Sequence, residues 1–168
     1  MSTSPFRVDL ATAADIPALL PLMERLADFE HYRDTFAITP EILYQQGFAQ
    51  QPPDFYCLVA RHTDGPLGGM LVYYFLPFTA SARPTLFVKE LFVDEAYRGH
   101  RLGEELMRAA AQAAVTHGCG AIRWAVAAWN EAGRRFYERL GAQANPVWVD
   151  YSLSGDALLA LTTPPTGS

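Results

Sequence analysis

The chain has 168 residues, of which 50% are hydrophobic and 18% are charged, and its formal net charge at pH 7 is −5. This apolar content is enough to offset the conformational entropy lost on folding, which excludes an intrinsically disordered chain. The acidic balance argues against a protein that binds the nucleic-acid backbone, because such proteins carry a basic excess.

The first half of the chain predicts a strand, two helices and three more strands. Alternating apolar residues place the first strand at Phe6–Leu10, and apolar residues at helical spacing run from Ile16 to Glu30. A second short helix begins at Pro40 and ends before Pro52. Three strand-like runs separated by turn residues follow, at Phe55–Ala60, Met70–Leu76 and Leu86–Val93. Consecutive strands without intervening helices predict antiparallel pairing.

The second half alternates helices with strands. An alanine-rich helix runs from Leu102 to a glycine stop at Gly118, and an apolar run at Ala121–Ala128 predicts a strand covered on both faces. A helix capped by Asn130 follows and ends at Gly141.

Two further elements are predicted near the C-terminus. Alternating residues at Val147–Leu153 predict a last strand, and Asp156–Leu161 predicts a terminal turn of helix. The order β-α-α-β-β-β-α-β-α-β predicts a mixed α/β sheet, antiparallel in its N-terminal half and parallel around the alanine-rich helix.

These elements fit one domain over residues 1–168, with a core at about 5–160 and a frayed tail at 162–168. No apolar stretch approaches the ~20 residues of a membrane span, and the N-terminus lacks a signal-peptide pattern. The two cysteines and four histidines show neither a disulfide framework nor zinc-site spacing. We therefore expect a cytoplasmic protein with no metal, no nucleic-acid partner and no membrane partner.

The segment from Arg98 to Glu104 has the features of a phosphate site. It joins a strand to the first turn of a helix, where several N–H groups lack intrahelical partners and the dipole adds about half a positive charge. Gly99 and Gly103 permit close backbone approach, so a pyrophosphate fits these amides. Taken alone, the segment is also compatible with an ordinary helix start and solvated arginines. Its spacing matches neither a dinucleotide-binding nor a Walker motif.

The segment Asn130–Ala142, taken alone, is an amphipathic helix whose tyrosine fits a core position. Together with Arg98–Gly103 it resembles the GNAT superfamily of acetyl-CoA-dependent N-acetyltransferases. Arg98–Gly103 matches the family's R/Q-x-x-G/R-x-G/A loop, with Arg101 where glycine is commoner. Asn130–Ala142 matches the family's N-x-x-[AG]-x-x-F-Y-x-x-x-G-[AF] helix. Ala127–Glu131 and Phe136-Tyr137 are most similar to segments of the diamine (spermidine/spermine) and thialysine N-acetyltransferases.

The resemblance implies a GNAT-like mixed sheet and an enzyme that transfers acetyl from its co-substrate, acetyl-CoA, to the amine of a small molecule. The fourth strand would face the acetyl and pantetheine groups, and two helix starts would hold the pyrophosphate and the rest of CoA. The implied cofactor-binding residues are Leu91, Phe92, Val93, Arg98, Gly99, His100, Arg101, Leu102, Gly103, Glu104, Asn130 and Gly133.

For catalysis, the resemblance implies that Tyr137 is the general acid. A phenol, with an ordinary pKa of about 10, stays protonated at neutral pH and can donate to the departing CoA thiolate. Glu90 is the candidate base, and on a regular strand it faces the side opposite Lys89. Lys89 stands where the diamine enzymes carry an acidic residue. A strand carboxylate paired with a neighbouring cation is the alternative interpretation of Glu90.

The implied acceptor-binding residues are Phe29, Glu30, Lys89, Arg123 and Trp124. Several acidic residues of the diamine enzymes are missing, which argues against a long polycation as acceptor. Lys89 and Arg83 instead favour an amine that also carries a carboxylate, such as an amino-acid-like or thialysine-like compound.

Three further points stay open in the sequence. The alternative to an enzyme is a non-catalytic acyl-CoA-binding or regulatory module. No feature of the sequence distinguishes a small-amine acceptor from a protein lysine or a protein N-terminus. The relatives' two-fold dimers imply a homodimer. The apolar residues of the last predicted strand fit its interface or the core of the chain: Trp148, Val149 and Tyr151.

Overall fold

The structure, a computed structural model, describes residues 4–165 and residue 167. It divides into two compact units, one ending at Asn130 and the other beginning at Glu131. The first unit contains, in chain order, β1 (Phe6–Leu10), α1 (Ile16–Phe29), α2 (Pro40–Gly47), β2 (Tyr56–His62), β3 (Leu67–Leu76), β4 (Thr85–Val93), α3 (Leu102–Thr116) and β5 (Ala121–Trp124). The second unit contains α4 (Glu131–Arg139) and α5 (Gly155–Leu161). No helix in the described part of the chain is long and apolar enough to cross a membrane.

The five strands form one sheet in the order β1-β2-β3-β4-β5. The first four strands pair antiparallel with their neighbours. A turn joins β2 to β3 and a loop joins β3 to β4, as antiparallel pairing allows, whereas α1 and α2 lie between β1 and β2 in the chain. β5 pairs parallel to β4, since α3 carries the chain back across the sheet. The predicted mixed sheet is therefore confirmed.

The two faces of the sheet are covered by different helices. The buried side chains of α1 form an apolar cluster with strand residues such as Val59, Met70 and Phe92. α3 packs on the other face, where a Cβ built on Gly69 would lie 3.3 Å from Leu106 Cδ1. A glycine at this position of β3 therefore lets α3 approach the sheet closely.

Replacing Gly69 by Ala is expected to destabilise the fold by about 1–3 kcal/mol, the usual cost of overpacking. The new Cβ would lie 2.9 Å from the backbone oxygen of Phe92, so β3 and β4 must move apart. Urea unfolding measures the change. Gly120→Ala is the matched control, since its Cβ would come no closer than 3.5 Å to another heavy atom. Equal stabilities of the two variants would contradict the close packing at Gly69.

The last strand predicted at Val147–Leu153 is wrong. Within the described chain these residues form neither strand nor helix, and Trp148 and Tyr151 are exposed over 75% and 94% of their surfaces. Alternation produces a strand only where a neighbouring strand supplies backbone partners, which the pattern itself does not report. The predicted order holds as far as α4, and α5 follows where the sequence predicted a terminal helical turn.

The predicted strand Ala121–Ala128 is also too long. β5 ends at Trp124, and Ala121 and Arg123 are exposed. The expected burial on both faces fails because the face of β5 that carries Ala121 and Arg123 is uncovered. In the predicted tail, residues 162–165 follow α5 without further helix or strand, and Thr166 and Ser168 lie outside the described residues.

Candidate active site

A bulge interrupts β4 at Lys89. Val88 pairs with Tyr73 and Glu90 pairs with Val72, so Lys89 has no partner residue on β3. The parallel ladder with β5 ends at the same point, at Val88. Beyond it, no strand among the described residues pairs with this edge of β4. Backbone N–H and C=O groups along the rest of this edge are therefore available to a bound molecule.

The loop after β4 leads directly to the start of α3. A turn at Glu95–Tyr97 precedes Gly99, whose φ of 87° lies in the left-handed region, and a Cβ there would meet no atom within 4 Å. The first hydrogen bond of α3 runs from the N–H of Glu105 to the oxygen of Arg101 at 3.0 Å. Three N–H groups thus lie between the loop and the helical ladder, at the positive end of the helix dipole. They belong to Leu102, Gly103 and Glu104.

Arginines surround this helix start. Arg101 donates to Glu104 through Nε at 3.0 Å and Nη2 at 2.7 Å, and Arg108 donates to the same carboxylate at 2.9 Å. The hydrogen bond from Arg101 lowers the pKa of Glu104, with Arg108 acting in the same direction. Arg98 is half-exposed and lies 3.8 Å from Glu95. Positive charge is present as predicted, but part of it is shared with Glu104.

Asp94 ties the loop to α1 and to the sheet. Its Oδ2 accepts a hydrogen bond from Arg25 Nη1 at 2.8 Å, and its Oδ1 accepts one from the N–H of Ala96 at 3.0 Å. Its own N–H donates to the oxygen of Gly68 on β3 at 2.9 Å. Burial opposes ionisation, but Ala96 and Arg25 lower the pKa of Asp94 below its ordinary value. The carboxylate therefore fixes the point where β4 ends and the loop begins.

The cofactor residues predicted in the first unit are brought together along this path. The side chains of Phe92 and Leu102 are only 8% and 2% exposed, so these residues offer their backbone rather than their side chains. His100 Nδ1 lies 3.1 Å from the oxygen of Tyr97, inside the loop. Among the described residues, no group of His, Cys, Asp or Glu side chains is arranged to hold a metal ion.

Glu90 is half-buried at the bulge, near the end of α1. The hydroxyl of Tyr32 donates to Glu90 Oε1 at 3.4 Å. Burial raises the pKa of Glu90, while Lys89 and Tyr32 lower it and Glu30 raises it. A carboxylate with a raised pKa beside an open strand edge is a candidate proton acceptor.

Aromatic side chains cluster at the same end of α1. The rings of Phe29 and His31 lie 5.6 and 5.5 Å from that of Trp129. Phe29 and Trp129 are about half-exposed. The structure thus places the predicted acceptor residues Phe29 and Glu30 where the chain turns toward Glu90.

The other predicted acceptor residues lie elsewhere on the sheet. Arg123 and Trp124 are on β5, opposite β4 residues that precede the bulge. Arg83 donates to the backbone oxygens of Gly118 and Cys119, at 3.3 and 3.0 Å. These contacts bind the guanidinium to carbonyls of the turn between α3 and β5, and the role of Arg83 as a carboxylate-binding residue stays a prediction.

Tyr137 lies on α4 in the second unit. Its ring packs 5.1 Å from that of Phe136, and both side chains are half-buried. Gly141 has a φ of 89°, and the N–H of Ala142 donates to the oxygen of Tyr137 at 3.1 Å, which confirms the predicted glycine stop. The remaining predicted cofactor residues lie at the end of the first unit and on α4, and are Asn130 and Gly133.

Comparison with known proteins decides the family. The acetyltransferase (GNAT) family model matches residues 20–142, which include both predicted motifs. The chain belongs to the GNAT acetyltransferase family. As a GNAT protein it is an acyltransferase, and acetyl-CoA is the co-substrate of this family.

Similar GNAT sequences include amine acetyltransferases. The chain is 30% identical to a mouse (Mus musculus) thialysine N-epsilon-acetyltransferase over 165 residues, covering 92% of this chain and 96% of that protein. It is 32% identical over 143 residues, 82% of the chain, to a human (Homo sapiens) spermidine/spermine N(1)-acetyltransferase-like protein, of which the match spans only 20%. An L-ornithine N5-acetyltransferase of Arabidopsis thaliana is 28% identical, with 92% of this chain and 87% of that protein covered.

Solved structures with the GNAT fold superpose closely. An integron cassette protein from V. cholerae gives a TM-score of 0.78 at 21% identity, covering 97% of this chain and 100% of that one. An aminoglycoside acetyltransferase from an uncultured soil metagenomic sample, in complex with sisomicin, gives 0.73 at 19% identity, with 89% and 97% covered. At these identities the likeness establishes the fold alone.

Sequence reasoning did not single out Arg25, Asp94 or Tyr32. Asp94 carries a local signal, because an Asp that follows a strand and precedes a turn often accepts from the N–H two residues later. Arg25 and Tyr32 carry no such signal, since their partners lie 69 and 58 residues away.

Proposed function

We propose that this GNAT protein transfers the acetyl group of acetyl-CoA to the primary amine of a small molecule of the diamine, thialysine or amino-acid type. One observation carries the proposal: the edge of β4 that loses its partner at Lys89 leads directly to the N–H groups at the start of α3. The near full-length similarity to thialysine acetyltransferases supports the small-amine class.

In this proposal the open edge of β4, from Leu91 to Val93, contacts the acetyl and pantetheine groups. Arg98–Glu104 holds the pyrophosphate, and Asn130 and Gly133 contact the rest of CoA. The space beside Gly99 and the N–H groups at the helix start suit a doubly charged phosphate linkage. When bound, acetyl-CoA supplies the thioester whose carbonyl carbon the acceptor amine attacks.

Two side chains move protons in the proposed reaction. Glu90 accepts the proton that the acceptor ammonium loses before its nitrogen attacks, and backbone N–H groups of β4 polarise the carbonyl. Tyr137 donates its phenolic proton to the sulfur as the carbon–sulfur bond breaks, so that CoA leaves as a thiol, and the second proton lost by the attacking nitrogen restores the phenol as the amide forms. Holding the amine next to the thioester contributes much of the rate.

The proposed acceptor combines a cation with an anion. Glu30 and Glu90 supply negative charge, and the aromatic faces of Phe29 and Trp129 suit an ammonium group. Lys89 is exposed at the bulge and favours an acceptor that also carries a carboxylate. Arg123 and Trp124 remain proposed contacts to the acceptor. An amino-acid-like or thialysine-like amine therefore fits better than a polyamine.

Thiol release from acetyl-CoA, followed with a panel of amines, tests this function. We expect turnover with amino acids that carry a side-chain amine, including thialysine and ornithine, and slower turnover with spermidine. Turnover with lysine-containing or N-terminal peptides alone would contradict the small-amine class. Calorimetric binding of acetyl-CoA without turnover of any acceptor would indicate a non-catalytic acyl-CoA-binding module instead.

Replacing Asp94 by Asn is expected to weaken acetyl-CoA binding about three- to tenfold, the scale of a partly buried ion pair. The reason is that Arg25 and Ala96 then no longer hold the end of β4 against the phosphate loop. Calorimetric titration with acetyl-CoA measures the loss. Asp28→Asn is the control, because it breaks an exposed ion pair, the one with Arg33. An unchanged Kd for Asp94→Asn would show that the loop keeps its shape without this carboxylate.

We also propose that the protein is a cytoplasmic homodimer. A run of large apolar side chains is exposed, with Val147, Trp148 and Val149 at 76%, 75% and 74%, and monomers rarely leave such patches uncovered. Cys57 and Cys119 are free thiols, which are typical of a reducing compartment. Light scattering is expected to give twice the chain mass of 18.6 kDa, and a monomer mass would contradict the dimer.

A further inference from the structure

α1 ends in a Schellman motif that turns the chain toward the sheet. The N–H of Tyr32 donates to the oxygen of Ala27 at 2.9 Å, and the N–H of His31 donates to that of Asp28 at 3.3 Å. His31 has a φ of 63°, a position that glycine usually occupies. Its imidazole packs 5.5 Å from the ring of Trp129, so a side-chain contact as well as backbone bonds holds the turn.

This turn brings the Tyr32 hydroxyl to within 3.4 Å of Glu90 Oε1. Burial and the carboxylates of Glu90 and Glu30 raise the pKa of Tyr32, so the phenol stays protonated and acts as a donor. On β2, burial raises the pKa of Cys57 to about 12, so this neighbour is a neutral thiol. The charged groups acting on Glu90 are Lys89 on its own strand and Glu30 at the end of α1.

We propose that Tyr32 is a positioning residue for Glu90 in the proposed acetyl transfer. By donating to Oε1, its hydroxyl fixes the orientation of the carboxylate and leaves Oε2 to meet the acceptor amine. Tyr32 acts through Glu90 rather than on the reacting atoms. This inference rests on the proposed role of Glu90 as proton acceptor, which is tested separately below.

The same hydrogen bond affects the proton affinity of Glu90. A donor stabilises the charged carboxylate, so Tyr32 lowers the pKa of Glu90 and opposes the effects of burial and of Glu30. Without the hydroxyl, a higher pH is needed to keep Glu90 ionised as a base. A tyrosine with only a structural role would change stability without moving the pH profile.

The test compares Tyr32→Phe with wild type in the dependence of kcat/KM for the amine on pH. We expect the acid limb to move to higher pH and kcat/KM on that limb to fall about tenfold, the scale of one hydrogen bond to a charged group. The Kd for acetyl-CoA should be unchanged. Tyr44→Phe removes a hydroxyl from an exposed tyrosine on α2, and its profile should superimpose on that of wild type.

A second readout does not depend on activity. Carbon-13 NMR titration of protein labelled at glutamate Cδ follows Glu90 directly, and Glu90→Gln identifies its signal. We expect the titration of Glu90 to move to higher pH in Tyr32→Phe. If Glu90→Gln abolishes the acid limb while Tyr32→Phe superimposes on wild type in both measurements, the inference on Tyr32 is wrong and the base assignment stands. If Glu90→Gln retains the acid limb of the pH profile, the proposed role of Glu90 is wrong, and the role of Tyr32 is wrong with it.

Discussion

Replacing Tyr137 by Phe is expected to lower kcat by about two orders of magnitude or more, because the departing thiolate loses its proton donor. The change removes one oxygen and keeps the ring that packs against Phe136, so α4 should keep its structure. The Kd for acetyl-CoA should stay close to that of wild type. Thiol-release kinetics and calorimetric titration on the same preparation measure both quantities.

The pattern of losses separates the possible roles of this tyrosine. Tyr44→Phe, on the exposed surface of α2, is the matched control and should leave kcat unchanged. An unchanged kcat in Tyr137→Phe would remove the phenol from the mechanism. A lower affinity for acetyl-CoA at an unchanged kcat would instead assign Tyr137 to cofactor binding.

Replacing Glu90 by Gln is expected to lower kcat/KM for the amine by about 10²–10⁴-fold, the usual contribution of a general base. The variant should also lose the acid limb of the pH profile. Glu41→Gln, at an exposed position in the first turn of α2, is the control. A variant that kept both the rate and the limb would show that another group takes the proton.

The same substitution is expected to raise thermal stability at neutral pH. Burial raises the pKa of Glu90 above its ordinary value of 4.5, so between these two values the folded chain binds more protons than the unfolded chain. The contribution of Glu90 to stability is therefore full below pH 4.5 and is lost as the pH rises through the folded-state pKa. The Tm of Glu90→Gln should exceed that of wild type at pH 7 and approach it near pH 4. A Tm for Glu90→Gln below that of wild type at pH 7 would contradict the claim that burial of Glu90 disfavours its charged form.

The loop and helix start of the proposed phosphate site could be predicted from sequence because their determinants are local. The end of a strand, the glycine at position 99 and the onset of an alanine-rich helix lie within a dozen residues, so the spacing itself reports the geometry. The motif that ends at Gly141 is local in the same way. The order of β2 to β5 followed from the short connections between the antiparallel strands and from the helical crossover that precedes β5.

The bulge and the surroundings of Glu90 could not be predicted in this way. Lys89 lacks a partner on β3 because of the register in which β4 pairs with β3. A regular strand would leave no unpaired residue at this position. Tyr32 contacts Glu90 only because the turn after α1 points back to the sheet. The contacts of Arg83 could not be predicted for a similar reason, since its partners are backbone carbonyls some 35 residues further along the chain.

The failed strand at Val147–Leu153 has a different cause. Alternating apolar residues indicate which side chains favour burial on one face of a strand. The pattern does not indicate whether a neighbouring strand is present to pair with them. The same side chains, exposed in the structure, are the ones on which the proposed dimer depends.

Comparing acetyl-CoA with acetylpantetheine, which carries the thioester but lacks the pyrophosphate and nucleotide, tests most directly whether the start of α3 holds the pyrophosphate. Calorimetric titration is expected to give saturable one-to-one binding of acetyl-CoA, with acetylpantetheine bound about 100-fold more weakly or worse. Equal affinities for the two compounds would contradict a phosphate site at Arg98–Glu104.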